Sequence, residues 1–305
     1  MTQRQAPTLA VIADLHGNLP ALEAALADLE HVQPDAVVIA GDFVNRGPQS
    51  HAVVARAARL GFPAISGNHD TWLSSLARGE RLPDGWESPW WTPVRRATEE
   101  LTPDDLAWLD ALPTTLRVEL PGSEPVLIVH GSPRDSREGM GRMFSDATLA
   151  AALEGVEERV IIGAHIHYPW ERRVGARRTV VIGAVGCPFN LDINAQYGLF
   201  TWRDGDWRCE HRSIPYDHEQ IEEAWRASGY LDGGSLSAEL MRLEHQTART
   251  QYVPFWDWAV ERGLPLTRES HAIFAAQREP APAIFPPPAD LSGVPGRGKA
   301  EQAQG

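Results

Sequence analysis

Five short runs of apolar, mostly branched residues each stop abruptly at a polar cluster that holds a glycine. The runs span residues 8–13, 35–40, 63–66, 126–129 and 159–162. Runs of this length and branching predict buried strands. The clusters that follow are Asp14-Leu15-His16-Gly17-Asn18, Gly41-Asp42-Phe43-Val44-Asn45-Arg46-Gly47-Pro48, Gly67-Asn68-His69-Asp70, His130-Gly131-Ser132-Pro133-Arg134 and Gly163-Ala164-His165-Ile166-His167. Over the first eighty residues, strands alternate with apolar residues at helical spacing in 19–29, 50–60 and 71–77. That alternation predicts a parallel sheet with helices on its faces, whose functional groups gather where strands end.

The later chain is richer in strands. Residues 116–120 and 179–182 read as further strands, and 198–202 with 207–214 flank Asp204-Gly205-Asp206 as a hairpin. A helix is expected over 146–153. Residues 80–93, rich in Pro and Trp, lack a period and read as a loop or short cap. Two sheets between helical layers accommodate both halves. Residues 216–277 read as helices, and from Glu279 the Pro, Gly, Ala and Gln content predicts a disordered tail. The expected division is therefore 1–215, 216–278 and 279–305.

Each cluster alone has an ordinary explanation, since a loop Asp is commonly a cap and a lone His commonly structural. Together they do not. Asp14 and His16, two apart at a strand end, point the same way and can reach one cation. Asp42, at a neighbouring strand end, is placed to bridge two cations. Asn68 offers an amide oxygen, His69 a titratable imidazole, and Asp70 a carboxylate able to orient it. His130, His165 and His167 add imidazoles.

In this order, the D-x-H, G-D-x-x-x-R, G-N-H-D, H-G and G-x-H-x-H elements resemble the calcineurin-like metallophosphoesterase superfamily. Residues 129–135 and 182–200 are similar to segments of its small bacterial and archaeal phosphodiesterase branch. The resemblance covers roughly residues 8–214. It implies a four-layer αββα sandwich, here with a helical C-terminal extension, and two divalent cations. Asp14, His16 and His167 would hold the first, Asn68, His130 and His165 the second, and Asp42 both. His69 matches the catalytic histidine beside the leaving group, with Asp70 as its partner. Arg46 is a candidate clamp on a phosphoryl oxygen; its alternative is a surface arginine paired with an acid.

The implied reaction is hydrolysis of a phosphate ester, a phosphodiester first, by water activated between the cations. The ligand types suit Mn, Fe, Zn, Co or Ni, with Mg also compatible, and the resemblance favours manganese. There are departures. Ala164 and Ile166 replace the usual Gly and Thr or Ser, and Ala184 removes a hydroxyl from the Gly-Ser-Val-Gly element. Asn45 stands where the protein-phosphatase branch has Asp. A non-catalytic scaffold of the same fold is the alternative from another class, and a protein or nucleotide phosphatase the alternative within enzymes.

The formal net charge of -13 over 305 residues argues against extended nucleic-acid or anionic-membrane binding and leaves room for a small phosphate ester such as a nucleotide. No run reaches membrane-spanning length. Two cysteines, Cys187 and Cys209, fit a reducing cytoplasm. Trp86, Trp90 and Trp91 read first as an apolar plug, alternatively as a lid over a nucleobase. Trp256 and Trp258 are expected to dock C-terminal helices. Arg134, Arg137 and Arg142 either line the entrance or are solvated. His31, His51, His211, His218, His245 and His271 are read as surface or locally hydrogen-bonded.

Overall fold

Strands β1 (Thr8–Ile12) and β2 (Ala36–Ile39) run parallel, with Leu9 opposite Ala36 and Ile12 opposite Ile39. Helix α1 (Leu19–Val32) connects them. Asn18 starts it by accepting the Ala21 N–H, and Pro20 lies in its first turn, where its missing donor does no harm. Helix α2 (Ser50–Leu60) follows and stops at Gly61, whose φ of 65° ends the helix. The structure, a computed structural model, describes residues 6–80 and 82–277, so the tail expected over 279–305 lies outside the described residues.

The strand expected at 63–66 is a single bridge, Ile39 to Ala64. Pro63 has no N–H to give a ladder, and Ser66 turns its N–H to the Pro113 carbonyl instead. Helix α3 (Asn68–Ala77) begins inside the third cluster, earlier than the expected Thr71. The 80–93 loop contains a 3-10 turn, Pro89–Trp91, and runs into α4 (Thr92–Glu100) and α5 (Pro103–Asp110).

Next come β3 (Thr115–Val118), β4 (Val126–Val129), α6 (Asp146–Ala152), β5 (Val160–Gly163), β6 (Pro169–Val174) and β7 (Arg177–Ile182). The hairpin β8 (Ala195–Arg203) and β9 (Asp206–Ile214) closes the sandwich. One sheet has the order β2-β1-β8-β9, the other β3-β4-β5-β7-β6. Because β8 runs antiparallel to β1, the first sheet is mixed, where the opening alternation alone implied a parallel one.

Alternation along the strands makes the layers. Leu9 and Val11 join Val126, Ile128, Val160, Ile162, Val180 and Ile182 in the core between the sheets. Ala10 and Ile12, one residue out of phase, face the helical layer with Leu22, Leu26 and Val53. Val129 and Ile161 face the other way, against Leu149 and Leu153 of and beside α6. A one-residue slip would exchange these faces, so burial on both sides fixes register. The result is the expected four-layer αββα sandwich.

The C-terminal helices are α7 (His218–Ala227), α8 (Leu236–Thr247), α9 (Tyr252–Glu261) and α10 (Arg268–Gln277). Trp225, Met241, Phe255 and Phe274 enter the same apolar cluster as α1 and α2, so the extension shares the helical-layer core. Trp90 and Trp91 are buried against Tyr252 and Trp256, which makes them the plug rather than a free lid. Among the described residues, no helix is long and apolar enough to cross a membrane.

Candidate metal centre

All five clusters meet at one end of the sandwich. The first two loops lie side by side, with N–H groups of Asp14, His16 and Gly17 donating to the carbonyls of Gly41, Asp42 and Phe43 at 3.0 Å each. The segment after β7 closes under them, Gly186 donating to the Asp14 carbonyl at 2.8 Å. A Cβ on Gly186 would stand 1.9 Å from the Leu15 carbonyl oxygen, and one on Gly67 would stand 2.1 Å from Asp42 Oδ1. Neither position accepts a side chain without the loops moving apart. Asp14, His16, Asp42, Asn45, Arg46, His165 and His167 all hold positive φ, between 44° and 70°. Non-glycine residues rarely adopt that region, and such strain persists only where surrounding contacts over-determine it.

The seven expected ligands converge as two groups. Asp14, His16, Asp42 and His167 bring one donor atom each within 4.8 Å of one another, and Asp42, His130 and His165 do the same. Asp42 belongs to both. Asn68 joins the second group, its Oδ1 lying 3.1 Å from His130 Nε2 and 2.9 Å from His165 Nδ1.

The tautomers fit cations. His16 donates from Nδ1 to the Val44 carbonyl, and His167 donates from Nδ1 to the Cys187 carbonyl. Their Nε2 lone pairs therefore face each other, 3.1 Å apart. His130 likewise donates from Nδ1 to the Ala40 carbonyl, turning Nε2 towards Asp42 Oδ2 at 3.2 Å. Asp14 Oδ1 and Asp42 Oδ2 are buried with no hydrogen-bond partner. Buried acceptors aimed at one another are unfavourable unless positive charge lies between them. Carbonyl-held imidazoles are also the usual outer support of metal-binding histidines.

The electrostatics report the same demand. Burial pushes Asp14 up to about 8, Asp42 adding to the effect while His130 opposes it. Against burial, His130 and His69 hold Asp42 well below the carboxylate range. Burial lowers His165 to about 3 and takes His16 and His167 well below the ordinary imidazole value. His130 alone goes up, to about 10, because Asp42 and Asp14 outweigh its burial.

Two partner assignments differ from expectation. Asp70 does not orient His69. Its carboxylate accepts the N–H groups of Asp42, Phe43 and Gly67 at 2.9, 2.8 and 2.8 Å, tying the second loop to the start of α3. Burial and Asp42 together push it up to about 7. The partner of His69 is Asn45, whose Nδ2 lies 2.8 Å from His69 Nδ1. Asn45 Oδ1 accepts the Arg46 N–H, which fixes the amide's orientation and leaves the His69 hydrogen on Nε2. Burial lowers His69 to about 4.

Arg46 is no surface residue. It is 4% exposed, its Nη1 donates to Glu244 of α8 at 2.9 Å, and its guanidinium lies over Phe189. Glu244 and the nearby His245, which reaches Asn18, are both buried and carry no sequence signal beyond their helix. Of the three candidate entrance arginines, Arg137 lines the cleft beside the site, while Arg134 is held by Glu138.

Comparison with known proteins agrees with this geometry. The chain is 35% identical over 151 residues to a symmetrical bis(5'-nucleosyl)-tetraphosphatase of Paracidovorax citrulli, a match covering 47% of this chain and 51% of that protein. It thus spans about half the length of that relative. It is 26% identical over 230 residues to an uncharacterized protein of Methanocaldococcus jannaschii, covering 70% and 90% of the two chains. A metallophosphoesterase structure from Sphaerobacter thermophilus superposes with a TM-score of 0.63 at 22% identity, over 80% of this chain and 99% of that one. A hypothetical protein from Pyrococcus horikoshii superposes with a TM-score of 0.64 at 20% identity, over 77% and 97%. The calcineurin-like phosphoesterase model matches residues 7–169, just over half of the chain, and the protein belongs to that family.

Proposed function

We propose that the protein hydrolyses phosphate esters, phosphodiesters first, with two divalent cations held at the centre described above. Asp14, His16 and His167 hold one, Asn68, His130 and His165 the other, and Asp42 is shared. The observation that carries this reading is that Asp42 alone belongs to both ligand groups. When bound, such cations acidify water and neutralise charge on the phosphoryl oxygens. Manganese is the expected pair on the family resemblance, the mixed oxygen and nitrogen donor set suiting Mn, Fe, Zn, Co or Ni alike.

The protein's own groups do the rest. His69, kept on its Nε2–H tautomer by Asn45, donates a hydrogen bond to the departing oxygen. Asp70 positions Asp42 through the backbone rather than touching substrate. Arg46, anchored by Glu244, presents a fixed positive charge at the cleft. The substrate is a small phosphate ester, and the tetraphosphatase relatives make dinucleoside polyphosphates the first nucleotides to assay. Two free cysteines support a cytoplasmic location.

The test is hydrolysis of bis(p-nitrophenyl) phosphate by the purified chain with Mn²⁺ added after chelation. Turnover that returns with metal supports the reading. A folded, metal-loaded chain with no turnover across several metals would make the protein a scaffold of this fold.

A further inference from the structure

A cleft opens directly beside the metal centre, lined at one side by Asn68 and His69 and elsewhere by Trp72, Trp91, Tyr252 and Trp256. The rings form a continuous run away from His69. Centroid separations are 5.9 Å from His69 to Trp72, 6.1 Å from Trp72 to Trp91 and 5.1 Å from Trp91 to Trp256. Hydrolysis at a metal pair needs none of them. Trp91 is buried by its packing, but Trp72, Tyr252 and Trp256 keep part of their surface open to the cleft. Large rings left uncovered in one concavity mark a binding surface.

Asp257, also of α9, lines the same cleft. Its Oδ1 is buried and has no hydrogen-bond partner. Burial and Glu261 push its carboxyl up to about 6. An acceptor of this kind is unfavourable unless a donor meets it.

We propose that the cleft receives the base of a nucleotide ester, stacked against Trp72 and Trp256, with the base's exocyclic amine donated to Asp257 and the phosphate at the metal centre. The proposal rests on the phosphoesterase reading. It adds that specificity comes from α9, which lies outside the 7–169 segment that defines the family.

Two measurements on the full chain separate the claims. The first is quenching of tryptophan fluorescence, without added metal, by AMP and by purine riboside 5'-monophosphate, which lacks the amine. AMP should bind about tenfold tighter or better, the expected weight of a hydrogen bond to a charged acceptor. Asp257→Leu should erase that preference. Equal binding of the two nucleotides by the wild type overturns the proposal without any variant. The second is kcat/KM with Mn²⁺ for the p-nitrophenyl ester of AMP and for bis(p-nitrophenyl) phosphate. Asp257→Leu should lower the first about tenfold and leave the second unchanged. If the wild type prefers AMP yet cleaves neither ester, the hydrolase reading fails and the nucleotide site stands. If it cleaves both and Asp257→Leu changes nothing, the site fails and the hydrolase stands.

Discussion

At the ligand end of the sandwich, seven non-glycine residues hold positive φ, whereas after residue 216 only Ala248 does among the described residues. The contrast lies in the backbone and not in hydrogen bonding, since buried atoms without partners occur in both regions: Asp14 Oδ1 and Asp42 Oδ2 at the ligand end, Trp225 Nε1, His245 Nε2 and Asp257 Oδ1 in the extension. Strain on the order of 1 kcal/mol for each left-handed residue is stored at the first region. The second is regular helix and aromatic packing. One region is shaped around something that is not protein, and the other stabilises and covers it. They meet at the ion pair between Arg46 and Glu244.

The largest effect should come from the shared ligand. Asp42→Asn should lower kcat/KM by about a thousandfold or more, the several kcal/mol of charge stabilisation that bound cations supply. Its metal content, measured on the purified protein, should fall at both sites. Chelation should lower the wild-type Tm and leave the Tm of this variant nearly unmoved, because metal stabilises only a chain that binds it. Full metal content in Asp42→Asn would break the idea of one carboxylate serving two ions.

Next comes His69→Ala, expected to lower kcat by about a hundredfold with metal content unchanged. Asn45→Ala should lower it less, by about tenfold, since it acts through the imidazole. Loss of metal in His69→Ala would move that residue from the reaction to the ligand shell.

The ligand end was legible in the sequence because its chemistry is written in residue type and spacing. Hard donors at five strand ends have few other uses, and two-residue spacing puts Asp14 with His16 on one side. Partners were less legible. Adjacency suggested that Asp70 serves His69, but neighbours in a helical turn point about 100° apart. Asp70, at the third helical position, folds back to the Gly67 N–H instead. The only signal for Asn45 was its place between Asp42 and Arg46. Strand β6 escaped notice because it is an edge strand whose outward residues, Glu171 and Arg173, are charged and exposed. Glu244 meets Arg46 across 198 positions, a separation no local pattern reports.

That seam gives the third prediction. Glu244→Leu leaves Arg46 buried and unpaired, and frees the Gln251 and Tyr252 N–H groups that Glu244 accepts. The variant should lose about 3 kcal/mol of stability in denaturant unfolding. Adding Arg46→Met should return much of it, because the uncompensated charge is then gone. No recovery in the double variant would show that the helix-start contacts, rather than the ion pair, join the two regions.

The smallest expected effect lies wholly in the extension and its plug. Trp90 donates from Nε1 to the Tyr252 hydroxyl at 3.1 Å, and the two rings stack at 4.9 Å. Tyr252→Phe keeps the stack and removes the acceptor, leaving the indole N–H of a tryptophan that is 4% exposed without a partner. The variant should lose about 1 kcal/mol of stability, with metal content unchanged, because the change removes one neutral hydrogen bond and no ligand. Trp90→Phe in the same background should then add only a packing loss, since no donor remains to be left unsatisfied. A fall in metal content on Tyr252→Phe would mean that the aromatic layer shapes the ligand loops themselves. In that case the two regions are one mechanical unit, and the division drawn from their backbone strain does not hold.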